Sequence, residues 1–177
     1  MQPGQLDTST PKFCPHCAGR LAPQIVEGRE RLVCQECGFI FYINPKVAAG
    51  ALIENEGRVV LVRRGVEPRA GCWALSSGFV EYNETVEEAA IRECREETGL
   101  EVGLDGLLGV YSFRSDFYGH GVLVLYCAHV VGGELAAGDD ASEVGFFAPA
   151  ELPTNIAFQS HRRALGDWRK TIKESVR

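Results

Sequence analysis

GFVEYNETVEEAAIRECREETGL, residues Gly78 to Leu100, carries a helix with both of its ends written into the sequence. Thr85 with Glu88 three residues on is a capping box, in which side chains satisfy the first free amides of a helix. Gly99 supplies the left-handed residue that stops it. Between them Val86, Ala89, Ala90 and Cys94 recur at steps of three and four, the apolar stripe of a packed helix. Glu93, Glu96 and Glu97 then fall at the C-terminal end on one face, with Cβ atoms about 5–6 Å apart. Two such charges repel by roughly 3 kcal/mol at an effective dielectric near 20. The C-terminal pole of a helix is itself partly negative and favours Lys or Arg. At about 100° per residue, Glu93 and Glu97 share the side of Val86 and so turn partly inward. Two readings stand: a solvated acidic face paired with Arg92 and Arg95, or a clamp for divalent cations that reverse both penalties.

The stretch resembles the Nudix box, Gly-x5-Glu-x7-Arg-Glu-U-x-Glu-Glu-x-Gly-U, with U bulky and apolar. Gly78, Glu84, Arg92, Glu93, Cys94, Glu96, Glu97, Gly99 and Leu100 occupy its positions, and Cys94 is a small residue for a U position. The resemblance implies an α/β/α sandwich that hydrolyses the diphosphate of a nucleoside diphosphate linked to another moiety, X, with metal-activated water as nucleophile. It implies that Glu93, Glu96 and Glu97 bind the metals and that Glu93 also orients or deprotonates the water. Arg92 would hold a box carboxylate, Glu84 being a candidate, and Gly78 would allow close backbone approach. Carboxylate ligands suit hard Mg²⁺ or Mn²⁺. A further acid outside the box is common in the family; Asp139, Asp140 and Glu143 are the candidates, and Glu143 is preferred because it precedes an apolar strand. Arg63 and Arg64 end a strand ahead of the box, so one of the two faces the site and can grip a phosphate in a bidentate manner. Trp73 and Phe113 are candidates for stacking on a base, although aromatic residues at such positions more often belong to a core.

Seven cysteines require a separate account. Cys14, Cys17, Cys34 and Cys37 form C-x2-C-x16-C-x2-C, within the range of a four-thiolate structural Zn²⁺ site. A segment of about 30 residues buries too little to fold unaided, and a metal supplies the difference. Two disulfides or a redox pair are the alternatives, and the lack of a secretion signal argues against them. Cys72, Cys94 and Cys127 read as small core residues.

The order along the 177-residue chain is then a polar segment at 1–12, a zinc ribbon at 13–42 and a hydrolase domain at 43–177. Strands are expected at Val47–Ile53 and Val59–Arg63 across a turn at 55–57, with short extended pieces at Gly71–Leu75 and Gly78–Val80. Longer strands follow at Leu107–Phe113 and Val122–Val131, then Val144–Phe147, then a helix from about Phe158. This is an α+β fold with a mixed sheet and layers. Net charge is −6, which offers no basic surface to duplex nucleic acid. The longest apolar run, Val122–Val131, is about half the length of a membrane span, and the opening residues hold no apolar leader. The expectation is a cytoplasmic protein acting on a small nucleotide, with a homodimer left open.

Substrate is less legible. A zinc ribbon ahead of a Nudix domain resembles NADH pyrophosphatases, but residues 101–125 lack the Ser-Gln-Pro-Trp-type motif of that group. FCPHC, NPK at 44–46, RRGVEPRAGCW and AFQS at 157–160 resemble a zinc-ribbon group that includes plant ADP-ribose/FAD diphosphatases. Leu75-Ser76 and Ser77 depart from the Leu-Pro and Gly frequent there. ADP-ribose or FAD is the favoured substrate. NADH or nucleoside-triphosphate hydrolysis and a non-catalytic nucleotide sensor remain as alternatives.

Overall fold

A computed structural model describes residues 11–138 and 140–175. Asp139, one of the three candidate outer acids, lies outside the described residues. The chain divides into two compact units, Met1–Asn44 and Pro45–Arg177.

In the first unit, β1 (Leu21–Val26), β2 (Arg29–Cys34) and β3 (Ile40–Phe41) form an antiparallel sheet in that order. Glu27 and Gly28 both have positive φ, the mirror-image turn that suits a two-residue hairpin. The two CxxC segments fold alike. The Cys14 N–H donates to Gly19 O at 2.8 Å and the Cys34 N–H to Phe39 O at 2.8 Å, while Ala18 and Gly38 close back on Cys14 and Cys34. Amide donors also reach the sulfurs, from His16 to Cys14 Sγ and from Cys37 to Cys34 Sγ. All four Sγ atoms lie within 4.8 Å of one another. The Cys14–Cys37 and Cys17–Cys34 sulfurs are 3.7 and 3.5 Å apart. A disulfide needs about 2.05 Å. Zn–S bonds of about 2.3 Å at tetrahedral angles put sulfurs roughly 3.8 Å apart, so these residues fit zinc.

The second unit is built on a seven-stranded mixed sheet. Its strands are β4 (Lys46–Asn55), β5 (Arg58–Arg64), β6 (Trp73–Ala74), β7 (Ser76–Phe79), β8 (Leu100–Ser115), β9 (Gly119–Gly133) and β10 (Ala141–Phe147), in the order β10-β5-β4-β9-β8 with β6 on β5 and β7 on β4. Strands β4 and β9 are parallel neighbours; the other pairs are antiparallel. The helices are α1 (Val86–Thr98) and α2 (Gln159–Ser175).

Alternation along the strands makes two cores. Leu52, Val59, Leu61, Leu123 and Leu125 pack with Ala164, Leu165 and Trp168 of α2. Ala49, Ala51, Ile53, Val60 and Ala128 face the other way, toward Ala89, Ala90 and Cys94 of α1. Each helix therefore covers one face of the sheet, the expected sandwich.

The structure differs from the sequence reading in the length of its strands and in the burial of its cysteines. Strand β8 begins directly after α1 and runs for 16 residues, where only Leu107–Phe113 was expected. Register shifts at 101/102, 104/106 and 107/109 accommodate Gly103, Gly106 and Gly109 within one strand. The connection to β9 shrinks accordingly to 116–118. Among the extra cysteines only Cys94 is buried; Cys72 and Cys127 are half-buried.

Candidate active site

Helix α1 is capped as its sequence demands. Thr85 Oγ1 accepts the Glu88 N–H while Glu88 Oε2 accepts the Thr85 N–H. Gly99, at φ 70°, sends its N–H to Arg95 O. These ends fix the rotation of the helix, and the rotation sends Glu93 and Glu97 into a cleft of about 490 Å³ in the second unit.

Arg92 organises the acids beside that cleft. Its Nε and Nη2 grip both oxygens of Glu84 at 2.9 and 2.7 Å. Its Nη1 donates to Glu93 Oε1 at 2.7 Å and Glu96 Oε2 at 2.9 Å, and Nη2 also reaches Phe79 O. Through the Arg92 guanidinium, Glu84 is held far below the usual carboxylate range, at about 2. Glu96 is thereby drawn to the rim and does not line the cleft. Among the described residues the four cysteines are the group whose ligand atoms already converge for a metal, and the three box acids are not gathered so closely.

Glu97 sits deeper. Its Oε2 accepts the Ser77 N–H at 3.0 Å, from the strand that forms the cleft floor. Burial, followed by the repulsion of Glu93 and against hydrogen bonds from Ser76 and Ser77, pushes its carboxyl up to about 7. Burial also raises Glu93, against the pull of Arg92. Two desolvated carboxylates facing one cavity are a costly arrangement on their own, and hard divalent cations fit it.

Gly78 has a more specific task than free backbone approach. A Cβ there would stand 2.2 Å from Glu93 Oε1, so the carboxylate is seated directly on the glycine. Gly78→Ala is expected to move Glu93 and to leave the fold intact, because the obstructed atoms end a side chain. Activity should fall about 100-fold, as for a reacting group misplaced by about 1 Å. Parallel kcat and melting measurements check this; a comparable loss of stability would point to a structural role.

Arg63 and Arg64 part company. Arg64 lines the cleft, donates from Nε to Pro68 O at 2.8 Å, and stacks over Phe158 at 5.2 Å. Arg63 turns away to Glu143 Oε2 at 3.2 Å and to Gly71 O. Glu143 therefore lies outside the cleft, opposite Arg63 in the β10–β5 register, while Asp140 lines it. Trp73 is also elsewhere: its ring packs edge-on against Phe147 at 4.8 Å within the α2-side core. Phe113 does line the cleft.

Among the cleft residues that were not anticipated are Glu81, Arg114, His161 and Arg163. Arg163 stacks over Tyr111 at 5.6 Å, and Tyr111 donates to Asp167. Among the described residues, Arg64, Arg114 and Arg163 have no carboxylate partner within 4 Å. The available signal was the sequence after AFQS, where HRR opens α2. The cleft thus carries the acids of α1 on one side and guanidinium groups from β5, β8 and α2.

This arrangement, on this sheet, defines a class of phosphoanhydride-cleaving enzymes. The NUDIX domain model matches residues 44–168 and the Nudix N-terminal zinc-ribbon model residues 12–43, and the chain belongs to the Nudix hydrolases. It is 45% identical over 128 residues to the ADP-ribose pyrophosphatase of Methanocaldococcus jannaschii, covering 72% of this chain and 75% of that one. It is 30% identical over 159 residues to the NAD-capped RNA hydrolase NudC of Pseudomonas aeruginosa, covering 88% of this chain but only 54% of that relative's length. A NUDIX hydrolase structure from Nitrosomonas europaea superposes with a TM-score of 0.83 at 34% identity, over 92% of this chain and 93% of that one.

Proposed function

We propose that this chain hydrolyses the diphosphate bond of a nucleoside diphosphate linked to a second moiety, with ADP-ribose the first substrate to test and FAD the second. The observation that supports this reading is the division of charge in one cleft. Glu93 and Glu97 line it together with Arg64, Arg114 and Arg163, guanidinium groups with no carboxylate partner within 4 Å among the described residues. A diphosphate with its accompanying cation presents both complements. The relationship to the archaeal ADP-ribose pyrophosphatase favours ADP-ribose among such compounds.

Glu93 and Glu97 would hold magnesium or manganese, with Glu96 able to join if it leaves Arg92. When bound, the metal supplies charge neutralisation and an activated water. The protein's own groups do the rest. Arg64 grips a phosphoryl group, and its stacking on Phe158 preserves its orientation. Arg163 and Arg114 meet the more distant phosphate or the ribose. Arg92 holds Glu93, seated on Gly78, in place to orient the nucleophilic water or take its proton, and Asp140 is the outer acid that the cleft offers. Phe113 and Tyr118 offer flat surface to a base. The cysteine cluster would hold a structural zinc.

Incubation of the protein and magnesium with ADP-ribose, FAD, NADH and dGTP, each separately, tests the reading. ADP-ribose should yield AMP and ribose 5-phosphate. Turnover of NADH alone would favour the NudC-like specificity instead. No turnover of any of the four would favour a nucleotide sensor.

A further inference from the structure

His161 is a buried histidine with half of its hydrogen-bonding capacity unspent. It lies in the first turn of α2, is 4% exposed, and packs edge-on against Phe158 at 5.2 Å. Its Nδ1 accepts the Leu75 N–H at 3.0 Å. A ring nitrogen that accepts cannot also carry the proton, so the proton is on Nε2. Burial, with Arg64 nearby, pushes the imidazole down to about 3, which keeps it neutral at ordinary pH. No group among the described residues accepts from Nε2. Nor is any buried side-chain nitrogen or oxygen left sealed without a partner, so Nε2 reaches open space. His161 lines the cleft, which is the open space in question.

The position is also informative. Leu75 donates to His161 and Ser77 donates to Glu97, so the two side chains hang from amides two residues apart on one extended stretch. Two such residues span about 7 Å along the strand. Buried polar groups are in the large majority hydrogen-bonded to protein or water, and here Nε2 has only the cleft to supply its partner.

We propose that His161 is a substrate-contacting residue, whose Nε2–H donates to an oxygen of the bound diphosphate while Leu75 holds the ring in position. The inference rests on the diphosphate reading above. It adds to the site a neutral donor that competes for no metal, in contrast to the carboxylates, and carries no charge, in contrast to the arginines. Its expected contribution is greatest where charge develops, at the oxygen that leaves.

His161→Asn and His161→Gln test it. Asparagine retains an acceptor near Nδ1 for Leu75 but has no group at Nε2; glutamine places an amide N–H near Nε2. With ADP-ribose and magnesium, His161→Asn should lose about 10- to 100-fold in kcat with KM changing less, at a melting temperature near wild type. His161→Gln should recover part of that loss even if it melts lower. In wild-type protein labelled with ¹⁵N-histidine, the Nε2–H resonance of His161 should shift when α,β-methylene-ADP and magnesium bind. Wild-type kcat in His161→Asn would overturn the inference and leave the hydrolase reading standing. So would losses that follow melting temperature in both variants, with an unmoved Nε2–H. A shifted Nε2–H in a protein that cleaves neither ADP-ribose nor FAD would support the contact and overturn the hydrolase reading. Neither binding nor cleavage would overturn both.

Discussion

Glu97→Gln is expected to lower kcat for ADP-ribose by more than about 100-fold and, without added magnesium, to make the protein more stable at pH 8. Removing groups that merely orient metal ligands costs about 10- to 100-fold, so losing a direct ligand costs more. The stability gain follows from the same burial. Burial pushes the carboxyl up to about 7 in the folded protein, against an ordinary value of 4.5. A group with a raised folded pKa contributes stability that is fully present below the unfolded value and is lost as pH rises through the folded one. The difference, 7 − 4.5, corresponds to about 3 kcal/mol lost between those limits. Glutamine can keep an oxygen on the Ser77 amide without the buried charge. The melting temperature of the variant relative to wild type should therefore rise by several degrees from pH 5 to pH 8. A variant that melts below wild type at pH 8, or that retains full kcat, would remove Glu97 from the metal site.

The caps of α1, the inward turn of Glu93 and Glu97, and the cysteine knuckles were legible because each depends on residues within a few positions of one another. Thr85 and Glu88 bond each other, and Gly99 needs only its own backbone. The capture of Glu84 by Arg92 was also within reach, since Glu84 stands just before the helix that carries Arg92. Glu143 shows where this kind of reading stops. It was preferred because it precedes an apolar strand, but the β10 register shifts between Ala141 and Glu143. A bulge reverses which side chains face the cleft, leaving Glu143 with Arg63 and Asp140 beside Arg64. No local pattern announces such a bulge.

The α2 residues show a different limit. His161 and Arg163 enter the cleft because α2 meets distant parts of the chain there: His161 takes the amide of Leu75, 86 residues earlier, and Arg163 lies over Tyr111 of β8. Trp73 illustrates the converse. It was a candidate for stacking on a base or for the core, and the β6–β5 pairing and Phe147 direct it to the core. Which face of a strand meets the core is decided by partners that the strand's own sequence does not name.

Chelation of zinc, or Cys34→Ser, is expected to unfold the first unit while the second keeps its own cooperative transition. Among the described residues of the first unit, only Cys14, Leu32, Val33 and Cys34 are buried, and two of these are the proposed ligands. So little apolar surface cannot offset the entropy of ordering some 30 residues. Structural zinc supplies roughly 10–16 kcal/mol in comparable small units, and its removal leaves nothing of that size behind. The second unit draws its cores from residues 48 onward and needs no ribbon residue to complete them. Trypsin should then cut rapidly at Arg20, Arg29 and Arg31, which the zinc-bound hairpin protects, while native mass spectrometry records the loss of one zinc. Sulfurs at 3.5 and 3.7 Å are too far apart for disulfides, so a reducing agent alone should leave the cleavage pattern unchanged. Cleavage provoked by reduction and not by chelation would reverse the assignment of the four cysteines.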